Sequence, residues 1–126
     1  MSTATTEKDL RYPIGKFDPI SFSDRKININ TITALPERLR AAVAGLDVQQ
    51  LDTRYREGGW TLRQTVHHVA DSHINSLCRF KLVLTEDEPP TIRPYAEDRW
   101  AEVADSKLPV ETSLEIIDGV DARWVA

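Results

Sequence analysis

Residues 58–79 read GGWTLRQTVHHVADSHINSLCR and contain all three histidines of the chain. Thr61 followed by Gln64 is a capping-box pair, in which each side chain satisfies the other residue's free backbone N–H at a helix start. Leu62, Val66, Val69, Ile74, Leu77, Phe80 and Leu84 then recur at helical spacing for about six turns. The stretch therefore predicts one long helix with most of its circumference buried. A polar stripe crosses it, formed by Gln64, His68, Asp71, Ser72, Asn75 and Arg79 at spacings of three and four. Such a helix seldom turns polar groups inward without a use for them.

The flanking segments also read as helices. Ser23 or Asp24 can cap a first helix whose buried face is Ile32, Leu35, Leu39, Ala42 and Leu46. Pro36 lies inside that pattern and predicts a kink or a fresh start. Asp47 to Leu51 fits one short turn before the loop Asp52–Gly59. Thr85–Pro94, TEDEPPTIRP, is a proline-broken loop with solvated acids at Glu86, Asp87 and Glu88. A short helical pattern over 95–105 turns Trp100 and Val103 inward. Pro109 then fits the first turn of a last helix that buries Val110, Leu114, Ile117, Val120 and Trp124. Before all of these, Tyr12, Ile14, Phe17, Ile20 and Phe22 read as anchors of an irregular arm, and residues 1–11 as a loose tip. With no strand-period run and no repeat, the expected fold class is all-α.

With 126 residues, 40% hydrophobic and 29% charged, the sequence has the composition of one globular domain. A net charge of −4 offers no basic footprint for nucleic acid. No apolar run reaches the roughly 18–20 residues that span a bilayer, and the N-terminus lacks the apolar core of a signal peptide. The single cysteine, Cys78, excludes an intrachain disulfide and suits a reducing cytoplasm. Between Leu77 and Arg79 in a helical pattern, it is expected to be buried and inert.

The chemistry concentrates on the stripe. At about 100° per residue, His67 and His68 diverge by about 100°, and His68 and His73 by about 140°. No two of them share a face, so they cannot hold one ion as an H-x-x-x-H pair does. His68, on the stripe, fits one ligand of a three-ligand zinc or nickel site whose other donors come from elsewhere. Asp71 can accept a hydrogen bond from His67 or His68 and fix its tautomer. A lone histidine among polar residues is nonetheless more often a solvated surface group, and spacing alone supplies no companion motif. Trp60 fits a hydrophobic staple at the helix start. Ser72 and Ser76 lack a nucleophile elbow, and Gly58-Gly59 lacks the lysine of a phosphate loop.

The strings YPIGKF (12–17), LDTRYREGGWTLRQTVHHVADSHINSLCRFKLVLTE (51–86) and IRPYAEDRW (92–100) resemble the YfiT-type branch of the DinB-like metalloprotein superfamily. Its members are described as metal-dependent hydrolases, and some act as bacillithiol S-transferases. The resemblance runs from about Tyr12 to the end of the chain. It implies a four-helix bundle, usually homodimeric, with a divalent metal on three histidines. His68 matches one of them, the second histidine of the HH pair. The other two, an H-x-x-x-H pair on the last helix of the family, have no counterpart among these 126 residues, and His67 and His73 do not match ligand positions.

The expectations are therefore a single DinB-like domain over 1–126, incomplete at its C-terminus and lacking the last helix of the bundle. The abrupt apolar ending Trp124-Val125-Ala126 points the same way. The isolated chain is expected to be molten or aggregation-prone, since a missing helix exposes its neighbours' apolar faces. The expected function is metal-dependent hydrolysis or thiol S-transfer, with Zn²⁺ ahead of Ni²⁺ activating water or a thiol. His68 is the metal ligand, Asp71 its hydrogen-bonding support, and the catalytic base is not legible. The partners implied are a second copy of the chain and a small-molecule thiol or electrophile, with neither nucleic acid nor membrane. The alternative is an inactive remnant that acts through self-association or partner binding.

Overall fold

The computed structural model describes residues 9–126, so most of the expected loose tip lies outside the described residues. Helix α1 spans Arg25–Val43 and begins where the Asp24 carboxylate accepts the Ile27 N–H at 3.0 Å. It continues through Pro36 without a fresh start. A proline removes one i→i−4 bond, and here the flanking turns stay in place. Gly45, at φ 76°, ends it in the left-handed conformation that favours glycine. Helix α2, Val48–Leu51, opens on a reciprocal Asp47–Gln50 capping box.

The capping box at Thr61 and Gln64 forms as expected, with bonds of 3.0 and 2.9 Å, and starts α3, Leu62–Thr85. After the proline-rich loop come α4, Glu97–Trp100, and a 3-10 turn, Ala104–Lys107. Pro109 precedes α5, Val110–Trp124. Among the described residues there is no strand, only an isolated bridge between Arg54 and Thr61. Nor is any of these helices long and apolar enough to cross a membrane.

Helix α5 packs against both α3 and α1 and forms the centre of the assembly. Val66 of α3, Val110 and Leu114 of α5 and Leu51 of α2 are buried together, with Leu39, Val43 and Leu46 packed against them. Ile117, one turn further along α5, is fully enclosed. Each such side chain contributes about 1.5–3 kcal/mol by leaving water.

Several sequence expectations fail on the other faces. Cys78 is exposed rather than buried. Ile74, Phe80 and Leu84 lie largely open on α3, as do Trp100 and Val103 beyond it. Tyr12, Ile14, Phe17, Ile20 and Phe22 are exposed as well, and Phe17 stacks on Phe22 rather than on the core. Periodicity tells which residues share a face but not what covers it. Helix α3 packs mainly on α5, with smaller contacts to α2 and the 3-10 turn, and these leave part of its apolar pattern uncovered.

Candidate functional site

The site begins at the loop before α3. Gly58 turns the chain at φ 72°, and a Cβ on Gly59 would stand 2.7 Å from the Tyr55 ring, so this turn requires two glycines. The Arg54 guanidinium donates to the Gly59 carbonyl, and the Tyr55 N–H bonds the Trp60 carbonyl at 3.2 Å. Trp60 is thereby held with its ring centroid 4.6 Å from that of His68. The expected staple is replaced by a cover over the imidazole. A staple partner would sit four residues into the helix, where Thr65 offers little apolar surface.

Beside Trp60, the segment 97–108 folds over the first half of α3. Gln64 Nε2 donates to the Ala101 carbonyl at 3.0 Å and ties this segment down. The result is a cavity of ≈ 120 Å³ whose lining includes His68, Asp71, Glu97, Trp100 and Asp105. Burial holds the His68 pKa below the ordinary histidine value, while the nearby Asp71, Glu97 and Asp98 carboxylates only partly offset it. The neutral imidazole, with a free lone pair, is the favoured form. Burial also pushes the Asp71 carboxyl up, and the facing Asp105 carboxylate adds to the effect.

The neighbouring histidines have other fates. His67 is buried; its Nε2 lies 2.9 Å from the Leu108 carbonyl and its Nδ1 2.6 Å from Ser113 Oγ. A carbonyl can only accept, so Nε2 carries the proton and Nδ1 accepts from the hydroxyl. Both nitrogens are thus used, one joining α3 to α5 and the other to the chain just before it. His73 Nδ1 pairs with Asp121 Oδ1, and Asp121 is almost wholly enclosed, its Oδ2 without a partner. The edge of Trp124 closes over this pair, 5.1 Å between ring centroids.

Among the described residues no hydrogen bond joins the Asp71 carboxylate to an imidazole, contrary to expectation. Ser113 and Leu108 occupy His67, and Asp71 shares only the cavity with His68. Glu97, Trp100, Asp105 and Ser113 were not singled out as site residues from sequence. Their only signal was the acidic and aromatic content of IRPYAEDRW and the segment after it.

As a metal site, the arrangement offers one donor of the right kind. His68 presents a neutral imidazole in an acid-lined cavity, but the described residues hold no group of three or more His, Cys, Asp or Glu placed to bind an ion. What they can do is hold one face of a cation and supply a carboxyl group of raised basicity beside it.

A family model described as the DinB superfamily matches residues 31–126. A Bacillus mycoides (strain KBAB4) protein is 54% identical over 121 residues, which are 94% of this chain and 69% of that protein. A Bacillus cereus (strain B4264) protein is 56% identical over 120 residues, 93% of this chain and 69% of its own length. Both carry the description "Putative metal-dependent hydrolase". Among solved structures, YfiT from Bacillus subtilis superposes with a TM-score of 0.84 at 48% identity, covering 92% of this chain and 68% of that one. It is described as having "an unusual four-helix bundle topology".

Proposed function

This chain belongs to the DinB superfamily, with the all-α, four-helix-bundle fold of that family, and from that premise we propose that it serves a metal-dependent reaction in the cavity beside His68. The reaction we assign is hydrolysis, as in the descriptions of its relatives, or transfer of a small-molecule thiol. His68 is one donor to the cation; the resemblance assigns the others to an H-x-x-x-H pair, and the relatives contain length that this chain does not cover. Imidazole donors suit Zn²⁺ first and Ni²⁺ second. When bound, such an ion lowers the pKa of the water or thiol it holds, so that a nucleophile forms near neutral pH.

The chain's own residues supply the surroundings. Trp100 limits water on one side of the cavity, and Trp60, outside its lining, packs against the His68 ring. Asp71, made more basic by its burial, is the group we assign to take up the proton released by the nucleophile. Its carboxylate belongs to the same cavity and spends no hydrogen bond on a histidine. Exposed Ile74, Phe80 and Leu84 on α3 support a homodimer, and the lone free thiol of Cys78 supports a cytoplasmic setting.

The observation that carries this reading is the half-buried imidazole of His68 in an acid-lined cavity, beside two histidines that each turn at least one nitrogen to another partner. Calorimetric titration with Zn²⁺ tests it. His68→Ala should lose binding by more than about tenfold, while His73→Gln keeps it; unchanged affinity in His68→Ala overturns the assignment. The absence of a three-donor group among the described residues favours a second reading, an inactive domain that works through self-association. Elemental analysis separates the two, since close to one zinc or nickel per chain supports the enzyme and metal-free oligomers support the other.

A further inference from the structure

The polar stripe of α3 does not end at Asp71. Beyond it lie Asn75 and Arg79, which the chemistry above leaves unused. A second cleft, ≈ 610 Å³ and therefore of small-molecule size, opens there between Asn75, Arg93, Tyr95 and Trp100. Trp100 lines both clefts, so the two adjoin across one indole. Tyr95 and Trp100 pack with ring centroids 4.6 Å apart and form an aromatic wall.

The two clefts have opposite charge. The first has Asp71, Glu97 and Asp105 in its lining, whereas the second has Arg93 and no carboxylate. Arg79 reinforces it from behind: its guanidinium lies 6.0 Å from the Tyr95 ring centroid and donates to the Arg93 carbonyl at 3.1 Å. Arg79 is half-buried, yet among the described residues neither it nor Arg93 forms an ion pair with a carboxylate. Arg93, the guanidinium that lines the cleft, is exposed; without a counter-charge it favours an anion, and its planar fork matches a carboxylate.

We propose that the cleft formed by Arg93, Asn75, Tyr95 and Trp100 binds the carboxylate-bearing end of the substrate whose reacting end lies at His68. The inference rests on the reading of His68 given above. It adds a substrate class, a carboxylic acid with an apolar or flat body that crosses the Trp100 indole. Asn75 is seven residues from His68 on one helix, so the carboxylate and the reacting bond are about 10 Å apart at 1.5 Å rise per residue.

The test uses 5-phenylpentanoate and its primary amide, a pair of that length differing in the charged group, on the metal-free full chain. Binding is read by calorimetry and by the NMR signals of the Trp100 indole and the His68 ring. The acid should bind about tenfold more tightly than the amide and shift both sets of signals. Arg93→Gln and Arg79→Gln should each abolish most of that preference, Arg93→Lys should restore part of it, and Cys78→Ser, outside both clefts, should leave it intact. Equal binding of acid and amide, an undiminished preference in both Arg→Gln variants, or an unmoved His68 ring overturns the proposal. Because the readout needs no metal, its failure is distinct from loss of zinc binding in His68→Ala.

Discussion

Two sides of α3 are built from the same residue types and behave differently. Toward α5, His67 is buried and His73 half-buried, each spending a nitrogen on a partner 46 or 48 residues away, although His67 also borders the cavity. On the side facing 97–108, His68 and Asp71 share a cavity with further carboxylates and make no hydrogen bond to one another. The seam uses its polar groups to specify how two helices meet, whereas the cavity leaves its polar groups available to a ligand. His67 and His68 are adjacent in sequence, so the contrast is set by direction around the helix and not by residue type or neighbourhood.

The comparison can be broken at its strongest point first. Ile117→Ala, at a wholly enclosed position of the seam, should cost about 2–5 kcal/mol in urea denaturation. A loss under about 1 kcal/mol would mean that the seam is not what holds the fold. His67→Ala comes next: it strands the Ser113 hydroxyl and Leu108 carbonyl and should cost about 1–3 kcal/mol, whereas His68→Ala measured alongside should change stability little. Similar losses for both would erase the distinction between the two sides. Thr61→Ala removes the cap that begins the shared helix and should cost about 0.5–2 kcal/mol, read as a lower thermal midpoint.

The smallest effects are those of pH, and they have opposite signs. His68 has a lowered pKa in the folded state, so the unfolded chain binds its proton first. Its contribution is present above the ordinary histidine value of about 6.5 and is lost as pH falls below it. Asp71 has a raised pKa, so its contribution is present at low pH and is lost as pH rises through its folded value. Between pH 7.5 and 5.5, His68→Gln should flatten the acid-side decline of the wild type. Asp71→Asn should be at least as stable as wild type at pH 7.5, with any advantage shrinking toward pH 4. Urea midpoints from pH 7.5 down to 4 check both, and a reversed order for either variant would contradict the burial assigned to it.

Much of the fold was legible because its signals are local. The Thr61–Gln64 box, the short turn before Asp52, the proline-broken loop and the apolar stripe of α5 each depend on residues within a few positions of one another. The errors came where a neighbour was needed. Trp60 was read as a staple because nothing in its spacing shows an imidazole beneath its ring. Cys78 was read as buried because a helical pattern does not say which faces find a partner. At the site, His68 and Asp71 were visible as a stripe, but Glu97 and Asp105 come from a segment some thirty residues away whose approach no spacing encodes.

By itself the sequence determined where helices begin and end, which residues share a face, and that no two histidines could bind one ion side by side. These follow from caps and from a fixed rotation per residue, which act within a single element. Only the tertiary structure decided that His67 is clamped by Ser113 and Leu108, that His73 meets a buried Asp121, and that His68 faces a cavity. Those outcomes depend on how α5 and the segment 97–108 dock on α3, where burial and unpaired hydrogen-bonding groups from distant parts of the chain are settled together.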